Sequence, residues 1–252
     1  MELFNPFTLS GKTILITGAS SGIGKAIAVS CSKMGAKIML NGRNMDRLES
    51  TLSELAFNNH KIFQGDLTLS EDLTRITEGV PSLDGIVYCS GIGQRKPCKM
   101  LVPSDVDEVI NANFKSSVLL QAELLSKKKV NKSASIVFIG SRAASSPSIG
   151  NAVYSASKGA ILSYAKCLAL ELAPQKIRVN CICPAMVWTD LIYEGGLTEE
   201  VLLEAQKKYP LKRFGNPEDI ANLAIYLLSD ASSWMTGSDI DITGGGEGTL
   251  KM

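Results

Sequence analysis

The chain holds a single histidine, and its six cysteines include no CxxC pair and no zinc-knuckle spacing. With no His/Cys/Asp/Glu cluster either, a metal centre is not expected. Charge of one sign is also missing: 26 Lys plus Arg against 25 Asp plus Glu leaves +1, and no like-charge block exceeds Lys127-Lys128-Lys129. A face built for nucleic acid needs a clear basic excess, so no nucleic-acid partner is expected. No apolar run approaches the roughly 18 residues of a spanning helix. The opening MELFNPFTLS has neither the basic start nor the apolar centre of a secretory signal. These absences predict no membrane role and a cytoplasmic location. Cys181-Ile-Cys183 places two thiols on one side of a strand, where they read as small buried apolar groups.

What the chain does have is 252 residues, 45% hydrophobic and 20% charged, enough for one large α/β domain. Short β-rich runs at 12–17, 36–41, 61–64, 84–88, 134–140, 177–182 and 239–243 alternate with helix-patterned stretches. The clearest of those are 22–34, 44–57, 104–126, 152–173 and 217–228. Near-continuous Val/Ile/Leu strands are buried on both faces, as parallel sheets require. The alternation predicts a single doubly wound (Rossmann) α/β domain over residues 1–252, with about seven parallel strands flanked by helices. One segment, 186–211, breaks the rhythm after a strand end and reads as a substrate lid with a short helical piece at 198–208.

KTILITGASSGIGKAIA reads strand, glycine-rich turn, helix. Glycines belong where a backbone must turn sharply and approach a pyrophosphate, whose charge then lies at the helix N-terminus. The GxxxGxG spacing of Gly18, Gly22 and Gly24 resembles the signature of short-chain dehydrogenases/reductases. At the end of the second strand, an NAD site offers a carboxylate to the ribose and an NADP site offers an arginine to the phosphate. Here Asn41-Gly42-Arg43 puts a cation there, with Asp46 the nearest acid, so NADP(H) is expected rather than NAD(H). The resemblance implies cofactor contacts from Gly18, Ser20, Ser21, Gly22, Ile23 and Gly24, and from Asp66 and Leu67 after the third strand. It further implies Ser90 and Gly91 after the fourth strand, where Tyr88-Cys89-Ser90-Gly91 lacks the family's bracing asparagine. Pro184, Val187 and Thr189 complete the set, with pro-S hydride transfer.

AVYSASKG places Tyr154 and Lys158 four apart on one helix face. Reducing a ketone needs a proton donor for the forming alkoxide, and a neighbouring ammonium helps a phenol serve at neutral pH. Ser141 precedes Tyr154 by 154 − 141 = 13 residues, the family's interval for the serine that bonds the substrate carbonyl. Asn113, in NANFKSS, matches the family asparagine that holds a water in the proton relay. The resemblance thus implies a catalytic set of Asn113, Ser141, Tyr154 and Lys158, with Tyr154 and Lys158 also touching the cofactor. His60, in a polar loop, is not expected to act.

The ending PLKRFGNPEDIANLAIYLLSDASSWMTGSDIDITGGG is similar to that of 3-oxoacyl-[acyl-carrier-protein] reductases. That likeness implies an acyl-thioester substrate, acyl carrier protein as a partner, and a homotetramer built on the 104–126 and 152–173 helices. Lys127, Lys128, Lys129, Lys132 and Lys176 would give an acidic carrier protein a basic landing surface. The same ending also serves reductases of sugars, polyols and steroids, and Met186, Trp188 and Tyr193 in the lid could stack on any of these. An NADP(H)-sensing binding protein is the reading without chemistry.

Overall fold

In the computed structural model, residues 4–193 and 198–246 are described. Seven strands, β1 (Thr13–Ile16), β2 (Lys37–Gly42), β3 (Lys61–Gln64), β4 (Leu83–Tyr88), β5 (Val130–Ile139), β6 (Arg178–Pro184) and β7 (Asp239–Ile242), form one sheet in the order β3-β2-β1-β4-β5-β6-β7. Every pairing is parallel, from Thr13↔Lys37 to Pro184↔Ile242. The strand order reverses between β1 and β4, and in open α/β sheets ligands lie at such a switch point.

Helices α1 (Gly22–Lys33), α2 (Met45–Ser53) and α8 (Pro217–Leu228) cover one face. Their Ile27, Leu48 and Ala224 pack on Ile14, Ile16 and Val137 of the strands. On the other face lie α3 (Ser70–Gly79), α5 (Ser116–Ser126) and α6 (Ala152–Leu172). There Ile76, Leu124 and Ile161 meet Leu15, Ile86, Ile136 and Val179. Both faces of the central strands are thus apolar, which is why those strands show no in–out alternation. Helix starts follow local chemistry: Asn44 accepts from Arg47 N–H at α2, and Asp219 accepts from Asn216 N–H ahead of Pro217 at α8. Among the described residues no helix is long and apolar enough to cross a membrane.

Two expectations need correction. The stretch read as one helix at 104–126 is α4 (Pro103–Ile110), a π turn (Asn111–Lys115) and α5. A π turn adds one residue to the winding and redirects a side chain, here Asn113. The strand read at 134–140 starts earlier, at Val130, because Asn131, Lys132 and Ser133 form a bulge in which Ser133 takes φ 63. Lys132 therefore lies in β5 rather than near a helix end. The expected lid contains a 3-10 turn (Asp190–Tyr193) and α7 (Glu199–Gln206), while its residues 194–197 lie outside the described residues. Leu202, Ala205, Tyr209 and Phe214 give this segment a small core of its own, with Met186, Trp188 and Ile192 packed on it.

Candidate active site

At the carboxyl ends of β1, β2, β4, β5 and β6 a cleft of about 570 Å³ opens. Every residue expected to touch cofactor lines it: Gly18, Ser20, Ser21, Gly22, Ile23, Gly24, Arg43, Asp66, Leu67, Ser90, Gly91, Tyr154, Lys158, Pro184, Val187 and Thr189. The geometry of the turn explains two of the glycines. Gly18 has φ +65, and a Cβ there would lie 2.9 Å from Ser90 Cα. At Gly24 a Cβ would lie 2.2 Å from the Gly18 carbonyl oxygen, so the helix can approach the turn this closely only without a side chain. Ser21, the N-cap of α1, makes no side-chain cap, and the first-turn residues Gly22, Ile23 and Gly24 line the cleft. A glycine cradle ending in an uncapped helix N-terminus fits a dinucleotide pyrophosphate.

The bracing absent from Tyr88-Cys89-Ser90-Gly91 comes from Thr17, which sequence reasoning missed. Its buried Oγ1 accepts from Cys89 N–H at 3.0 Å and Ser90 N–H at 3.2 Å, and shares a hydroxyl–hydroxyl hydrogen bond with Ser90 Oγ at 3.0 Å. One hydroxyl thus ties the β1 turn to the end of β4.

At the other end of this half, Asn41 is buried and donates to the Phe63 carbonyl at 2.9 Å, so β2 presents no acid at its tip. Arg43 is 72% exposed and sits 3.7 Å from Asp66 Oδ2, which leaves its guanidinium little fixed in place. Asp66 is held by Thr68, whose N–H and Oγ1 both donate to Oδ1. Arg47 also lines the cleft and lies 3.6 Å from Asp190 of the lid.

The reaction end is built from two elements. Ser141 caps the 3-10 turn (Arg142–Ala144) that follows β5, its Oγ accepting from Ala143 N–H at 3.1 Å. That bond uses a lone pair and leaves the hydroxyl hydrogen free to donate. Tyr154 lies in the first turn of α6 and Lys158 one turn on, with Nζ 5.8 Å from the Tyr154 ring centroid. Lys158 is buried, and Nζ donates to the Ile139 carbonyl at 2.9 Å. The nearby Cys89 and Cys183 thiols are pushed up to about 12, chiefly by burial, against a smaller opposing pull from Lys158. That shift favours the protonated thiol at neutral pH.

Asn113, read as the holder of a relay water, does not itself line the cleft. It is buried one layer behind, where it accepts from Ile92 N–H at 2.7 Å and donates to the Ile92 carbonyl at 3.0 Å and to Ser157 Oγ at 3.1 Å. The π turn aims it inward, and it pins the loop leaving β4. Trp188 and Tyr193 depart from expectation. Trp188 packs on Phe214 and donates to Gln206 Oε1 at 3.3 Å, and of the three lid residues named for substrate stacking Met186 alone lines the cleft. Beyond Ser141 and Tyr154 the wall is mixed: polar Gln94, Arg95, Ser148 and Asn151, none of which a motif had marked, stand with apolar Ile92, Met186, Leu191 and Ile192.

Comparison with known proteins follows the same lines. A family model described as enoyl-(acyl carrier protein) reductase matches residues 18–247. A 3-oxoacyl-[acyl-carrier-protein] reductase of Rickettsia felis is 35% identical over 237 residues, covering 94% of this chain and 97% of that one. Two solved structures each superpose with a TM-score of 0.87 at 29% identity. One, from Beutenbergia cavernae and described as a candidate NAD(P)-dependent gluconate 5-dehydrogenase with bound NADP, covers 96% of this chain and 98% of its own. The other, a 7α-hydroxysteroid dehydrogenase with NADH and 7-oxo glycochenodeoxycholic acid, covers 97% and 98%. A match spanning nearly the whole chain, with the same fold in the solved relatives, makes this protein a member of the short-chain dehydrogenase/reductase family of oxidoreductases.

Proposed function

We propose that the protein transfers a hydride between NADP(H) and a carbonyl or secondary alcohol, with a 3-oxoacyl thioester as the first substrate class. The observation that carries this reading is the convergence of Ser141, Tyr154 and Lys158 on one wall of the glycine-lined cleft. The bound nicotinamide supplies or accepts the hydride. Tyr154 Oη gives a proton to the forming alkoxide and takes one in the reverse direction. Ser141, with its hydroxyl hydrogen free, donates to the substrate oxygen as charge builds on it. Lys158, anchored on the Ile139 carbonyl, keeps a cation one helical turn from the phenol and can reach ribose hydroxyls. Asn113 holds Ile92, and so the loop that follows Gly91, in place beside the cofactor cleft.

Arg43 and the absence of an acid at the tip of β2 favour the 2′-phosphate, hence NADP(H) over NAD(H). The 35%-identical relative supports a thioester substrate and a carrier-protein partner. Exposed Lys128, Lys132 and Lys176 fit a basic landing surface, whereas Lys127 is paired with Glu78 and Lys129 caps carbonyls at the end of α3. Exposed Leu119 on α5 and Leu170 on α6 support a homotetramer joined through these helices. The same reading takes residues 1–252 as one domain with the lid at 186–211, working in the cytoplasm. A small polar ketone is the second reading, favoured by polar Gln94, Ser148 and Asn151 in the wall.

The test is NADPH consumption with a short 3-oxoacyl thioester, alongside NADH, an enoyl thioester, keto-sugars and cyclic ketones. Fast NADPH-selective reduction of the 3-oxoacyl thioester supports the first reading. Turnover of a sugar or ring ketone alone keeps the site and discards the thioester. Tyr154→Phe is expected to bind NADPH as wild type does, by fluorescence titration, and to lose nearly all turnover; retained turnover rejects the site.

A further inference from the structure

Arg95 lies on the loop leaving β4, half-buried in the cleft wall with Ser148 and Asn151. Its stem occupies the space that Gly150 leaves open. Gly150 has φ +86, and a Cβ there would lie 3.1 Å from Arg95 Cγ. The same junction is tied by Lys96 N–H donating to the Gly150 carbonyl at 2.8 Å. Because the 148–151 segment runs directly into α6, this contact sets Arg95 beside the approach to Tyr154.

The neighbouring cations already have carboxylates. Lys96 Nζ is 2.6 Å from Asp105, and Arg142 is 3.0 Å from Asp241. The acids of the cleft, Asp66 and Asp190, face Arg43 and Arg47. Among the described residues no carboxylate lies within ion-pair distance of Arg95. A half-buried guanidinium in a binding wall is best satisfied by a counter-charge carried in with the ligand, and its planar fork suits an oxyanion. In the same wall, Asn151 Nδ2 donates to Ser148 Oγ at 3.0 Å, leaving the side-chain Oδ1 of Asn151 to accept from a substrate hydroxyl.

We infer that Arg95 is a specificity residue that holds an anionic group of the substrate, a carboxylate or a phosphate, while the carbonyl lies at Ser141 and Tyr154. The inference rests on the carbonyl-reduction reading and narrows its substrates to those bearing an oxyanion. A small keto acid would supply a carboxylate; the arm of a coenzyme thioester would supply a phosphate.

The experiment compares wild type, Arg95→Gln and Arg95→Lys on two matched pairs of ketones with NADPH. One pair is 3-oxobutanoyl-coenzyme A and its uncharged N-acetylcysteamine thioester; the other is a six-carbon keto-aldonate and an uncharged keto-sugar. Arg95→Gln is expected to raise KM by about tenfold or more for a charged member and to leave its neutral counterpart within about twofold. The pair that responds names the source of the anion, and kcat stays near wild type in both. Arg95→Lys, which keeps the charge but not the fork, falls between. A separate calorimetric titration measures binding of a six-carbon aldonate and of its alditol to the protein with NADP⁺. If wild type reduces none of the ketones yet binds the aldonate in an Arg95-dependent way, the reductase reading fails, and with it the specificity role, while Arg95 is left as an anion-binding residue of the cleft. If ketones are reduced but neither KM nor binding distinguishes charged from neutral members, the inference is overturned and the reductase reading stands. Absence of any charge preference in wild type overturns it as well.

Discussion

Asn113→Ala removes three hydrogen bonds at once, one buried and two part-buried. It strands the Ile92 N–H and carbonyl and takes a donor from Ser157 Oγ, bonds now at 2.7, 3.0 and 3.1 Å. Each such bond contributes about 1 kcal/mol net, and a buried group left without a partner costs somewhat more, so the loss is about 3–5 kcal/mol. For a chain of this length each kcal/mol moves the melting temperature by about 2–4 °C, giving an expected drop of about 6–20 °C by calorimetry. The second effect is local. Ile92 and Gly91 border the cleft, so release of their loop should weaken NADPH binding in a fluorescence titration. Asn113→Asp keeps one acceptor, loses both donated bonds and buries a charge, so it should be no milder. Melting within about 2 °C of wild type together with unchanged NADPH affinity would refute the argument that this side chain holds the loop.

Three further outcomes are expected. Gly24→Ala drives a methyl group toward the Gly18 carbonyl, 2.2 Å from an ideal Cβ; overpacking of about 1–3 kcal/mol and displacement of the turn should cut NADPH affinity by about tenfold or more in equilibrium titration. Arg178→Met leaves the Leu227 and Ser229 carbonyls, now bonded at 2.8 and 3.0 Å, without their guanidinium at the C-terminal end of α8; thermal melting should report a loss of about 2–4 kcal/mol. In thiol titration at pH 8, the fast class should be confined to exposed Cys98 and Cys167. Burial pushes Cys31, Cys89 and Cys183 up to about 12, so they stay as protonated thiols below that pH and react only after denaturation.

The parts of the molecule written in local pattern were legible in the sequence. Runs such as TILI and the apolar part of β6 announce strands buried on both sides, and the GxxxGxG turn announces its own geometry because Gly18 and Gly24 answer to neighbours a few residues away or at the facing strand end. Tyr154 and Lys158 share a helix face by spacing alone. What stayed hidden depends on tertiary placement. NANFK keeps a helical composition, so nothing in it betrays the π turn that takes Asn113 out of the cleft wall. Asn131, Lys132 and Ser133 read as loop because a bulge tolerates polar residues that a buried strand does not. Trp188 looked like a ligand platform and instead serves the small core around Phe214. Arg95 became visible only once the loop after β4 met Gly150.

The strand order has a consequence for assembly in time. β2 and β3 add in succession to one side of β1, and β4, β5, β6 and β7 add in succession to the other. Each strand leaving the ribosome therefore joins an edge that already exists, and none has to be inserted between two placed neighbours. Vectorial synthesis can lay the sheet down from the first strand outward, although the β1–β4 pairing must still close a long loop. The glycine turn is present early in that sequence, whereas Ser141, Tyr154 and Pro184 arrive with β5, α6 and β6. A nascent chain thus acquires its scaffold for the cofactor well before it acquires the chemistry.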